Sequence, residues 1–582
     1  MMNGLQTGRR LSTDVVVIGT GGAGLRAAIE LHDRGRRVLL LGKRPKADAH
    51  TVQAAGGINA ALGTMDPEDS WAIHAADTLK EGCHLGDPAA VELLCREAPR
   101  AIEELVSYGV PFAREPDGRL SQRYFGAHRY RRTCFVGDYT GQEIVHALVR
   151  EVERRGIPII ERVYVTDLLT AGGRVNGVYG FELANGREVI VHAGAVILAT
   201  GGHIYIYRRS TSRRRENTGD GMALAFSVGA ALIDMELVQF HPSGMIWPPE
   251  LEGAMVTEAV RGEGGHLLNR YGERFMRRYD PERMELSTRD RVALASYSEI
   301  IAGRGTPRGG VWLSVSHLPP EVIRSRLPRM LELFAGVGVD ITRQPMEIAP
   351  TAHYSMGGVR VDTYTHATTV PGLFAAGEVA AGVHGANRLG GNSLTEIIVF
   401  GRIAGQHAAE FAARGAAPPL DEAQIERKRA RLARLAQRDG GIQRALITSL
   451  QEAMWRDAGV VRSAEGLERA LASLGSIRRK AENSPSGLSD LPAALDLESM
   501  LLTAEATVRS ALMRTESRGA HQRSDFPETD PAWRRNILVL PERRAGEELG
   551  MRLTTIEVTS PSPEVAAAID EQELDLAGRL LE

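Results

Sequence analysis

Cysteine is nearly missing from this 582-residue chain: only Cys83, Cys95 and Cys134 occur. Three scattered thiols cannot build a disulfide framework, a four-cysteine zinc site or an iron–sulfur cluster. They fit a reducing, cytoplasmic setting. Aromatic residues are sparse at 5%, and neither sign of charge is in excess, with 70 Lys+Arg against 73 Asp+Glu for a net −3. That balance gives no global attraction to nucleic acid or an anionic membrane. Long apolar runs are absent as well; no window approaches the roughly 18 residues of a membrane span. Arg9-Arg10-Leu11 imitates a twin-arginine signal, but the apolar run after it ends at Ile18 in glycines, which argues against a signal peptide.

Glycine, by contrast, is abundant. The 63 glycines exceed the usual share of about 7%. They cluster in short motifs, which points to close approach of backbone to a ligand. Hydrophobic residues at 43% and charged residues at 25% are ordinary globular usage, and the length suits roughly four domain-sized units.

Asp14-Val15-Val16-Val17-Ile18 predicts a short buried strand. The turn Gly19-Thr20-Gly21-Gly22-Ala23-Gly24 follows, then a helix over Leu25–Arg34 stopped by Gly35, then a second strand over Val38–Leu41. In this β–turn–α–β unit, Gly19, Gly21, Gly22 and Gly24 set backbone N–H groups and a helix N-terminus against a pyrophosphate. Gly42 and Lys43 stand where a ribose-binding carboxylate is often found, so none is assigned. Ala195–Gly202 and Gly372–Glu378 read as further strands of one sheet running into glycines. Few such strands lie between Phe240 and Thr351, which suggests an inserted domain. From Leu420 to Arg518 the spacing turns helical, with solvated charged faces and a turn within Glu482–Asp490. The tail from Ile537 carries no clear pattern.

Longer motifs follow in order: Ala49-His50-Thr51-Val52 before Gly56-Gly57; Asn217-Thr218-Gly219-Asp220-Gly221; Gln239-Phe240-His241-Pro242; Thr257-Glu258-Ala259-Val260-Arg261; Thr288-Arg289-Asp290; His353-Tyr354-Ser355; His384 to Leu394; and Glu516 to His521. Together, across about Asp14–Trp533, they make a chain that resembles the flavoprotein subunit of succinate dehydrogenase and fumarate reductase. The resemblance implies an α/β fold: a two-piece Rossmann-like FAD-binding domain (10–239 and 353–415), an inserted α+β capping domain (240–352), a helical domain (420–535) and a small C-terminal region (536–582).

The resemblance also implies site roles. His50 matches a histidine bonded covalently to a flavin methyl carbon. Lys43, Thr51, Gly56, Gly57, Asp220, Glu378, Ser393 and Leu394 match further FAD contacts. His241, Thr257, His353 and Arg388 match the residues gripping the two carboxylates of a C4 substrate, and Phe125 matches an aromatic beside it. Arg289 matches the proton donor, with Glu258 and Arg261 as its proton route. The implied partners are a membrane anchor and an iron–sulfur subunit, which would hold the chain at the cytoplasmic face of a membrane. No resident metal is implied.

Two departures stand out. Glu378–His384 is one residue short, and Gln122–Thr133 is compressed. Both point toward a branch that includes thiol-linked fumarate reductases. L-aspartate oxidase, from the same superfamily, is the alternative. It normally lacks the flavin-linking histidine and carries an acid in the stretch matching Phe125–Arg132, where this chain has His128, Arg129, Arg131 and Arg132. His203 and His366 read as structural. The arginine-rich loop Tyr207–Arg215 reads as facing solvent or a neighbouring subunit.

Overall fold

The computed structural model describes residues 6–212, 216–436, 441–483, 490–543 and 549–579. Its central sheet has seven strands. In spatial order they are Ile159–Glu161, Val38–Gly42, Gln6–Ile18, Arg187–Leu198, Arg174–Glu182 and Val163–Ala171, with Leu373–Ala375 also paired to Arg187–Leu198. The Arg187–Leu198 strand carries two neighbours on one edge because it is long. Glu188–His192 pairs antiparallel with Phe181–Gly177, while Val196–Leu198 pairs parallel with Leu373–Ala375.

Alternation buries both faces of this sheet, as parallel sheets require. Val15, Val17, Leu40 and Ile197 pack toward the Gly22–Asp33 and Asn392–Ala413 helices. Val16, Ile18, Leu39 and Val196 pack on the opposite side with Met222, Phe226 and Val539. The first strand begins at Gln6, eight residues before the predicted start at Asp14. Its polar first half is a strand only because Arg9–Thr13 pairs in register with Val189–Ala193. The first helix likewise starts at Gly22 rather than Leu25, since the glycines themselves supply its first turn.

In sequence, between the first six strands of this sheet and its last, Leu373–Ala375, come the strands of a four-stranded antiparallel sheet: Val238–Trp247, Met346–Ser355, Val311–Ser314 and His266–Leu268. Two of these strands have only three or four residues, too few to show a period in sequence. This region has its own core around Val256, Phe275, Leu313, Phe334 and Ile348. The helical spacing beyond Leu420 becomes four helices: Glu422–Ala436, Gln443–Ala458, Ala464–Asn483 and Leu491–Met513. Most of the predicted turn between the last two lies outside the described residues. The patternless tail is a hairpin, Arg535–Arg543 with Leu549–Glu557, followed by a helix over Pro563–Arg579. No described helix is long and apolar enough to cross a membrane.

Candidate active site

One large cavity, about 1770 Å³ including its open mouth, runs from the first glycine turn to the inserted sheet. The N-termini of the helices Gly22–Asp33, Asp220–Ser227 and Asn392–Ala413 meet its wall. Each turns its first-turn backbone N–H groups and the positive end of a helix dipole toward the cavity. The glycines there are required. Gly19 has φ +115°, and a Cβ on it would fall 2.1 Å from the carbonyl oxygen of Ala199. Gly391, which caps the third helix, has φ +88°, and its Cβ would strike Asn59. A side chain on Gly56 would strike the Phe125 ring, 2.4 Å away.

Lys43, His50, Thr51, Gly57, Asp220, Glu378, Ser393 and Leu394 all line this cavity. Lys43 ion-pairs with Asp220 at 3.3 Å and with Asp496 at 2.6 Å. Burial lowers the ammonium pKa, but the two carboxylates more than offset it, so Lys43 stays charged. Thr51 Oγ1 accepts from the backbone N–H of Gly22 at 3.4 Å. Burial drives Glu378 up to about 7 against the opposing pull of His50. This glycine cradle with helix N-termini fits a dinucleotide such as FAD, whose pyrophosphate the N–H groups would hold.

The inserted sheet closes one part of the cavity with a cluster of cationic and imidazole groups. Phe125, His241, Thr257, Glu258, Arg289, His353 and Arg388 all line it. Arg289 opens the Arg289–Glu299 helix, and its Nε donates to Glu258 Oε2 at 2.9 Å. Arg261 Nη2 lies 3.8 Å from the same oxygen. Burial pushes Glu258 up, yet Arg289 and Arg261 together hold it at about 2. Phe125 places its ring under the Arg289 guanidinium, 5.6 Å from centroid to Cζ. Arg388 lies over the Tyr354 ring at 4.4 Å and donates to Ser393 at 3.2 Å. Burial, then the neighbouring Arg289, lower it to about 10.

His241 and His353 stand edge to face, 5.3 Å apart. Burial pushes both well below the usual imidazole range, so both are neutral. Ser243 N–H donates to His241 Nδ1 at 3.2 Å, and Thr211 hydrogen-bonds His353 Nδ1 at 3.2 Å. The other His241 nitrogen, Nε2, and Arg388 Nε are buried with no protein partner. Buried donors left open in this way fit an anionic ligand.

Several residues of the site have no role in the sequence reading. Gln239 Oε1 accepts from Arg388 at 3.0 Å and from Arg289 at 3.5 Å. Glu216 lies against His50, and Asp496 reaches Lys43 from the helical region. Gln239 and Tyr354 lie inside recognised motifs, two positions and one position from a site histidine; Asp496 carries no signal.

The compressed stretch contributes only Phe125 to the cavity wall. Two of its arginines turn to acidic partners, Arg131 to Asp66 and Arg132 to Asp69 and Asp77, while Arg123 donates to the backbone carbonyls of Ala55 and Gly56 behind the cavity wall. The arginine loop corrects one expectation. Arg208 pairs with Glu252, as an exposed residue can, but Arg209 binds inward to the carbonyl of Gly309. Arg213, Arg214 and Arg215 lie outside the described residues. His203 and His366 are buried and hydrogen-bonded to Thr507 and the Ala375 carbonyl, and burial lowers both to about 4.

Comparison with known proteins accords with this geometry. Residues 14–394 match the FAD binding domain family and residues 447–566 the fumarate reductase flavoprotein C-terminal family. The protein is thus an FAD-binding flavoprotein. One component of the CoM/CoB fumarate reductase of Methanothermobacter marburgensis is 49% identical, over 90% of this chain and 96% of that one. The succinate dehydrogenase flavoprotein subunit of Rickettsia bellii is 40% identical, over 90% and 92%. Among solved structures, Mycobacterium smegmatis Sdh1 in complex with UQ1 superposes with a TM-score of 0.89 at 40% identity, covering 97% and 98% of the two chains. A quinol–fumarate reductase with menaquinol superposes with 0.89 at 34% identity, covering 96% and 100%. The chain belongs to the succinate dehydrogenase and fumarate reductase flavoprotein family, oxidoreductases acting on CH–CH bonds.

Proposed function

We propose that this chain interconverts succinate and fumarate, with residues 240–352 acting as a cap over the substrate. The observation that carries the reading is the pair of arginines, Arg289 and Arg388, sharing Gln239 beside two neutral histidines in the FAD cavity. A C4 dicarboxylate has two anionic ends and needs two donor sets. Arg388 with His353 holds one carboxylate through a charged fork. His241, through its open Nε2, and Thr257 hold the other.

FAD, when bound, supplies hydride exchange at flavin N5. The protein supplies the proton. Arg289 moves it to or from the neighbouring substrate carbon, and Glu258 and Arg261 relay it. Arg289 and Arg261 keep the Glu258 carboxylate ionised down to about 2, so it accepts hydrogen bonds from the guanidinium groups on either side and holds them aligned along that route. His50 carries the flavin covalently. The three cysteines are unpaired and scattered, so electrons leave or arrive through a separate iron–sulfur subunit. A further partner anchors the complex at the cytoplasmic face of the membrane. The 49% identity to a component of a CoM/CoB fumarate reductase favours thiols over a quinone as the distant redox partner.

A dye-linked assay on purified holoprotein tests the reading. Turnover of succinate or fumarate, inhibited by malonate, is expected. Turnover of L-aspartate with neither dicarboxylate consumed would replace it with an amino-acid oxidase.

A further inference from the structure

His50 opens a single 3₁₀ turn, His50–Gln53. Its Nδ1 lies 3.4 Å from Glu216 Oε1, across 166 residues of chain. Both residues line the FAD cavity, with side chains only 19% and 9% exposed. Arg44 stands 4.0 Å from the other Glu216 oxygen. Burial raises the Glu216 pKa, but the His50 contact and Arg44 bring it below the ordinary carboxylate range. Burial lowers the His50 pKa in turn, and Glu216, with a smaller contribution from Glu378, raises it further than burial lowers it. A carboxylate facing one imidazole nitrogen settles which nitrogen carries the proton. Here Nδ1–H donates to Glu216, and the lone pair is left on Nε2.

We propose that Glu216 is a positioning residue for flavin attachment: it orients His50, keeps the Nε2 lone pair available as nucleophile, and accepts the Nδ1 proton as the bond forms. This rests on the reading of His50 as the flavin-bearing residue. The new bond joins Nε2 to the flavin methyl carbon, and one methyl C–H bond breaks. The carbon is oxidised by two electrons, which the flavin ring takes up. Two protons, one from the methyl group and one from the imidazole by way of Glu216, complete the reduced ring. Fumarate then takes two electrons and two protons from it, becoming succinate, and the flavin is left oxidised.

The test compares the full chain with Glu216→Gln, Glu216→Ala and His50→Ser after expression with flavin and fumarate supplied. Covalent flavin is read as fluorescence of the denatured band and as the mass of the intact chain. Total flavin is read as absorbance of the native protein. Glu216→Gln is close to isosteric, yet it removes the proton acceptor. It should attach flavin at least about tenfold more slowly while still binding it without a bond. Added formate, a small carboxylate, should restore attachment in Glu216→Ala. Attachment by Glu216→Gln at the native rate overturns the role of Glu216. If that variant does not fold, failure of formate to accelerate Glu216→Ala does the same. A native chain with no covalent flavin, indistinguishable from His50→Ser, overturns the His50 reading itself.

Discussion

Gln239 and Arg388 hold each other by two hydrogen bonds. Arg388 Nη2 donates to Gln239 Oε1 at 3.0 Å, and Gln239 Nε2 donates back to the Arg388 carbonyl at 2.9 Å. The same Oε1 faces Arg289, so one neutral amide spaces two buried cations. Gln239→Leu removes that acceptor. An unsatisfied buried charged group costs about 1–3 kcal/mol or more, so thermal stability should fall. Malonate binding, followed by flavin absorbance, should weaken by roughly tenfold as the guanidinium groups lose their spacing. Unchanged stability and affinity would make Gln239 a bystander.

Arg289→Lys keeps the charge but loses the planar fork and the Nε contact with Glu258. General acid–base help is worth about 10²–10⁴ in rate, so kcat in the dye assay should fall by about that factor while malonate still binds. A near-normal kcat would transfer the proton role to His241 or His353.

Arg388→Lys should act mainly on binding. Hydrogen bonds to charged groups contribute about 1.5–3 kcal/mol, so the loss of one fork contact predicts roughly 10- to 100-fold weaker malonate binding. A large fall in kcat with unchanged affinity would contradict the clamp role.

Glu378 gives a pH signature in the flavin-free chain. Its folded pKa of about 7 lies above the ordinary 4.5, chiefly through burial. Between those values the folded state binds more protons than the unfolded one, so stability falls as pH rises through that window. Glu378→Gln mimics the protonated form. It should match the native stability near pH 4.5 and exceed it above pH 7, by up to about 3 kcal/mol, read as a higher melting temperature. Equal melting temperatures at pH 8 would refute this.

The sequence alone determined the features whose cause is local. The strand–glycine–helix unit at Asp14–Arg34 was legible because a short β-branched run, a turn only glycine can make and a helical period follow one another directly. The helices beyond Leu420 were legible from their helical spacing, and the ordered motifs named many, though not all, of the residues that line the cavity between His50 and Leu394. Tertiary structure alone decided the rest. Polar Arg9–Thr13 became a strand through its partner at Val189–Ala193. The Ile537 tail became a hairpin beside Leu232–Ile233. Lys43 met Asp496 across 453 residues, and Glu216 met His50. A lone glutamate or aspartate in a loop or helix carries no period and no turn signal. Its role depends on which distant charge the folded chain brings within about 3 Å, because in a buried, low-dielectric setting that distance decides whether a charge is stabilised or expelled.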